Sequence, residues 1–129
     1  MNAYVEHFSD PDSAIEALKR AYFLVWRSAM ATPAETGIAP LPDGTIRVVI
    51  DELDAWARRD AADAELRWML GHYHALGPFV LELHGASERL IRVAGDAGPD
   101  TWREATVTVA SMSGRGQMGR YWTEVAGRR

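Results

Sequence analysis

Histidines are the residues most able to do chemistry here, and three of the four lie in one stretch, Glu65–Gly85, ELRWMLGHYHALGPFVLELHG. Two adjacent imidazoles on one face suit metal binding, and one imidazole beside a carboxylate suits acid–base work. On a helix His72 and His74 stand about 200° apart and cannot share a metal. In an extended chain they would share a face, with Asp63, Glu65 or Glu82 as carboxylate. Catalytic zinc takes three protein ligands and an open position, and the spacing supplies no third, so no metal is expected. The sharper reading uses His72, His84 and Tyr73 as polar groups of a pocket, with His72 as general base.

Gly114-Arg115-Gly116-Gln117-Met118-Gly119 matches G-x-G-x-x-G letter for letter. The dinucleotide fingerprint needs a helix behind the glycines and a further strand carrying an acid about 20 residues on. Only ten residues follow Gly119, and Tyr121-Trp122-Thr123-Glu124-Val125 favours a strand. The stretch therefore reads as a glycine-rich hairpin loop, and no cofactor is expected. Arg115 and Arg120 beside it could hold an anion or an acidic partner.

Asp51, Glu52 and Asp54, followed by Asp60, Asp63 and Glu65, look like paired carboxylates. Arginines at i,i+4, as in Asp54–Arg58 and Asp63–Arg67, instead predict a salt-laced, solvated helix face. Nucleophile signatures are absent: there is no G-x-S-x-G and no cysteine. The five tryptophans divide. Trp26, Trp56 and Trp68 fall on helical stripes and read as core. Trp102 and Trp122 fall near turns and strand ends. With Arg115 and Arg120 they form a candidate partner-binding set, since exposed Trp and Arg dominate interface energetics.

The totals bound these options. A chain of 129 residues is near the usual size of one domain, so residues 1–129 are read as one. Lacking cysteine, it has no disulfide framework and no thiolate chemistry. The net charge of −4 is uneven: nine basic against sixteen acidic residues up to position 100, then five arginines against two glutamates. The acidic body would repel phosphate and argues against nucleic acid. The acidic N-terminus does not look like a leader, and no apolar run reaches the roughly 20 residues of a membrane span. A cytoplasmic protein without a membrane partner is the expectation.

The elements that must position these residues follow from periodicity. Ser9-Asp10-Pro11-Asp12 signals a helix start, and Ile15, Leu18, Tyr22, Val25, Trp26 and Met30 form a core-facing stripe over 13–31. Residues 32–44 read as loop. Thr45–Arg59 keeps helical spacing, with a short strand Ile46–Ile50 as the alternative. The apolar phase jumps near Asp60–Asp63, then helix resumes to the break at Gly77-Pro78. From there the period becomes two: strands are predicted at Phe79–His84, Leu90–Val93, Glu104–Ser111 and Tyr121–Val125, with a helix over Phe79–Val93 as the alternative. The fold class is therefore α+β, with N-terminal helices packed on a C-terminal antiparallel sheet of three to four strands.

Two functions fit. One is a small interaction or assembly module, of the kind seen among inhibitors, immunity proteins and phage assembly components. It would bind a protein partner, another copy of itself included, through the sheet edge and Trp102, Arg115, Arg120 and Trp122. The other is a small-molecule enzyme or ligand-binding domain with a pocket between helices and sheet. The lack of any catalytic signature favours the first.

Overall fold

The structure, a computed structural model, describes residues 14–30, 41–59, 64–96, 112 and 114–127. Those residues form six helices: α1 (Ala14–Met30), α2 (Asp43–Arg59), α3 (Ala64–Leu76), α4 (Phe79–Leu83), α5 (Glu88–Asp96) and α6 (Gly116–Gly127). Among the described residues there is no strand. The expected α+β architecture is therefore overturned. Three of the four predicted strands are helical, and the fourth, Glu104–Ser111, lies outside the described residues, as does Trp102.

The first helices follow their patterns. On α1 the stripe residues Leu18, Tyr22, Val25 and Trp26 are buried. The helix expected from about Thr45 starts at Asp43 and buries Val49, Ile50, Leu53, Trp56 and Ala57. Helix α3 buries Leu66, Trp68, Met69, Leu70 and Tyr73. These positions spread around its circumference, as they must on a helix covered from several sides. It packs on α5, and its rings meet those of α1 and α6.

The predicted hairpin at 79–93 fails for a local reason. Alternation places Phe79, Leu81 and Leu83 together; in the structure Val80 and Leu81 are buried while Phe79 and Leu83 are exposed. That is the i,i+4 pairing of one helical turn. Gly85, read as a turn residue, ends α4. It has φ 73°, its N–H donates to the Glu82 carbonyl at 3.1 Å, and the Ala86 N–H reaches the Leu81 carbonyl at 3.0 Å. This is the Schellman arrangement, which glycine favours because it has no Cβ to clash. Ser87 then starts α5. Its Oγ accepts the Leu90 N–H at 3.1 Å, as an N-cap serine does. The same hydroxyl donates to Asp54 at 2.6 Å, which anchors the junction on α2.

Tyr121–Val125 is likewise helical. Met118 and Trp122, four residues apart, both reach the core, and their burial outweighs the β-propensity of the Tyr-Trp-Thr run. The glycine-rich segment is thus a loop feeding a helix, not a hairpin. Gly114 and Gly116 have φ of 75° and 66°. Gly119 is needed for space: an added Cβ would strike the Met112 carbonyl oxygen and the Arg115 Cβ.

Gly119→Ala should destabilise the protein by about 1–3 kcal/mol, because a backbone carbonyl must move and this outweighs alanine's helix propensity. Gly77→Ala should cost less, since its nearest neighbour is the thioether of Met30, the far end of a flexible side chain. Urea unfolding of both variants checks the ranking.

Candidate functional site

His72 and Tyr73 project from α3 into a seam closed by α1 and α6. Five rings surround His72, those of Trp26, Trp68, Tyr73, Tyr121 and Trp122, with centroids 4.6 to 6.4 Å away. Its Nε2 shares a hydrogen bond of 2.5 Å with the Tyr121 hydroxyl, and Arg27 lies over the Tyr121 ring at 5.9 Å. Tyr73 is buried. Its hydroxyl accepts the Trp122 indole N–H at 2.7 Å, and its carbonyl accepts that of Trp26 at 3.1 Å. Burial pushes the Tyr73 phenol well above the ordinary tyrosine range, so at neutral pH it is a fixed hydrogen-bonding group rather than a base.

The other histidines sit elsewhere. The His74 ring lies over Gly95 of α5. His84 stands at the end of α4, where its carbonyl accepts from Arg47 of α2 at 3.1 Å. The pocket expected from His72, His84 and Tyr73 therefore does not converge on one place: two of its members join the aromatic seam and the third marks the α2–α4 junction. Among the described residues no group of three histidine, cysteine, aspartate or glutamate side chains could hold a metal.

Of the candidate partner-binding set, Trp122 is buried, Arg120 is exposed and Trp102 lies outside the described residues. Arg115 serves an internal role. Its Nε donates to both Glu16 oxygens at 2.9 and 3.0 Å, and one terminal nitrogen bonds Glu16 and, at 2.6 Å, Glu65. Lys19 reaches the same Glu65 oxygen at 3.0 Å. The network links α1, α3 and the start of α6. Burial is the largest single influence on the Glu65 carboxyl and raises it. Hydrogen bonds and charge from Arg115 and Lys19 together outweigh burial and hold it below its ordinary 4.5. In the acidic run, Asp51 pairs with Arg47 at 2.9 Å and Asp54 binds Ser87; Asp60 and Asp63 lie outside the described residues.

The exposed surface holds a feature that sequence reading missed. Leu76, Phe79 and Leu83 are 54, 49 and 67% exposed, all within the corner where α3 turns into α4. Val48 of α2, 40% exposed, neighbours the Arg47 that reaches the His84 carbonyl. Phe79 and Leu83 sit four apart after Pro78, a helical signal hidden by the apparent alternation.

Compared with known protein families, curated proteins and solved structures, the chain matches none. No described helix is long and apolar enough to cross a membrane.

Glu65 has a depressed folded pKa, so its contribution to stability is complete above the ordinary value of 4.5 and is lost as pH falls below it. Urea midpoints on either side of that value should therefore fall less steeply with acid in Glu65→Gln than in wild type. Arg115→Met should cost about 3 kcal/mol at neutral pH, near the lower end for a broken buried pair because Glu16 keeps partial access to water.

Proposed function

We propose that this is a small helical self-assembly module that binds a second copy of itself through the corner formed by Leu76, Phe79 and Leu83. The observation that carries the reading is the exposure of three large apolar side chains within eight residues. Single exposed apolar residues are ordinary, whereas three in one short corner of the chain are the kind of surface that binding sites use.

The flanks favour a copy over an unlike partner. Glu82, exposed beside Leu83, and Arg47, which pairs with Asp51 yet keeps about half its side chain exposed beside the end of α4, carry opposite charges. A two-fold interface is self-complementary. Apolar corner would meet apolar corner, and the Glu82 of one copy could approach the Arg47 of the other. Each half-exposed side chain still has roughly 1 kcal/mol of burial to gain. Six of them in a symmetric pair give about 6 kcal/mol, of the same order as the cost of association, about 4–15 kcal/mol. The dimer is therefore weak and concentration-dependent.

Catalysis has less support. The Nε2 of His72 is already engaged by Tyr121. A cleft among the described residues is lined by Arg20, Phe23, Leu24, Arg115, Gln117 and Met118, and the His72 side chain is instead packed among aromatic rings.

Sedimentation velocity across a wide concentration range should show the mass of the wild type rising from monomer toward dimer. Leu83→Glu and Phe79→Glu should stay monomeric with unchanged helical content, because both positions face water. A wild type that remains monomeric throughout would sink the reading, as would variants that associate equally well.

A further inference from the structure

The cleft between α1 and the start of α6 has a volume of about 90 Å³. It is well below the roughly 300–1,000 Å³ of a cofactor pocket and admits only a small group. Arg20 and Arg115 supply charge, Phe23, Leu24 and Met118 supply apolar wall, and Gln117 stands at the first turn of α6.

Of the residues that line the cleft, Arg20 has a buried polar atom whose needs are not met internally. Its side chain is 28% exposed, and its ionic partner, Glu16, stands 3.7 Å away, too far for a hydrogen bond. That carboxylate is already bonded twice by the Nε of Arg115. The Arg20 Nε is shielded from solvent and has no hydrogen-bond partner among the described residues. Leaving a guanidinium donor short of acceptors is costly. Among the described residues the one ionic contact of Arg20 is thus a long approach to a carboxylate that Arg115 already holds, so the Arg20 guanidinium is only weakly compensated at the cleft.

We propose that this cleft binds a small organic carboxylate, its charge on the Arg20 guanidinium and its short apolar body against Phe23, Leu24 and Met118. A single under-satisfied guanidinium matches a monoanion better than a phosphate dianion, and its plane matches that of a carboxylate. The apolar wall selects a carboxylate with a hydrocarbon body over a fully hydrated ion. The first N–H groups of α6 have no intrahelical acceptor and add positive potential at the same mouth. The site is separate from the α3–α4 corner and does not depend on self-association.

The test is a backbone amide NMR titration with butyrate, with its neutral isostere butyramide and inorganic phosphate as comparisons. Butyrate should give saturable, millimolar-range shifts at Phe23, Leu24, Gln117 and Met118. Butyramide should give none at these positions, and phosphate should bind more weakly. Arg20→Gln should weaken butyrate about ten-fold, as expected for one charge-assisted hydrogen bond. Gln117→Glu should also weaken it, while leaving the thermal midpoint unchanged or raised, since an acid in the first helical turn is favourable. Loss of binding with retained stability separates a ligand site from a structural role, and this variant decides the matter if Arg20→Gln fails to fold. Absence of saturable butyrate shifts, equal shifts with butyramide, tighter binding of phosphate, or unchanged binding in both variants overturns the proposal.

Discussion

Tyr73 is the post to which the helices are tied. Its hydroxyl takes the indole hydrogen of Trp122 from α6, and its backbone carbonyl takes that of Trp26 from α1. Its ring stacks on Trp26 with centroids 4.5 Å apart. A buried indole N–H without an acceptor carries a desolvation penalty, so both tryptophans are held where Tyr73 can serve them. Because one acceptor is side chain and the other main chain, the two ties lie on different parts of the same residue. They fix α1 and α6 against α3 together, and the aromatic seam follows from that geometry.

The charged network repeats the same three-way closure in a different chemistry. Glu16 from α1 and Glu65 from α3 meet on Arg115, just ahead of α6. A buried ion pair is a weak source of net stability, because desolvation offsets most of the attraction. Its effect is on specificity: Arg115 can satisfy both carboxylates only when α6 starts where it does. The left-handed glycines at 114 and 116 let the chain turn around that arginine, and Gly119 lets the new helix press on the Met112 carbonyl. Arg20 remains beside this closure with its Nε unbonded among the described residues, which is why the carboxylate site is proposed at the nearby cleft and not at the aromatic seam.

Legibility in the sequence followed the length of the pattern. Helix α1 could be read because its stripe repeats over 17 residues, where periods of 2 and 3.6 diverge clearly. Over the five residues of α4 they do not, since Phe79, Leu81 and Leu83 alternate just as Phe79 and Leu83 pair across a turn. The stop and start signals are present, in Gly85 as the left-handed residue and Ser87 three before Leu90, but beside so short an apolar run they fit a hairpin turn equally well. The α+β expectation failed mainly at this junction and at Tyr121–Val125, where packing of Trp122 overrode local preference. The candidate site was less legible still. Arg115 is 99 residues from Glu16 and 50 from Glu65, and no local spacing reports such a meeting.

The same residues also show why a motif's setting outweighs its letters. A strand after Gly119 would leave no helix to give the glycines electrostatic meaning; with α6 in place, the loop does open onto a helix N-terminus. That does not restore a dinucleotide site. The first turn of α6 faces a cleft too small for a pyrophosphate and a nucleoside, and the motif's own arginine is committed to two carboxylates. What survives of the phosphate-loop logic is its electrostatic half: the positive end of a helix beside an arginine, Arg20, whose Nε lacks a hydrogen bond among the described residues. An apolar wall beside that charge selects for a small, partly hydrophobic anion rather than a nucleotide.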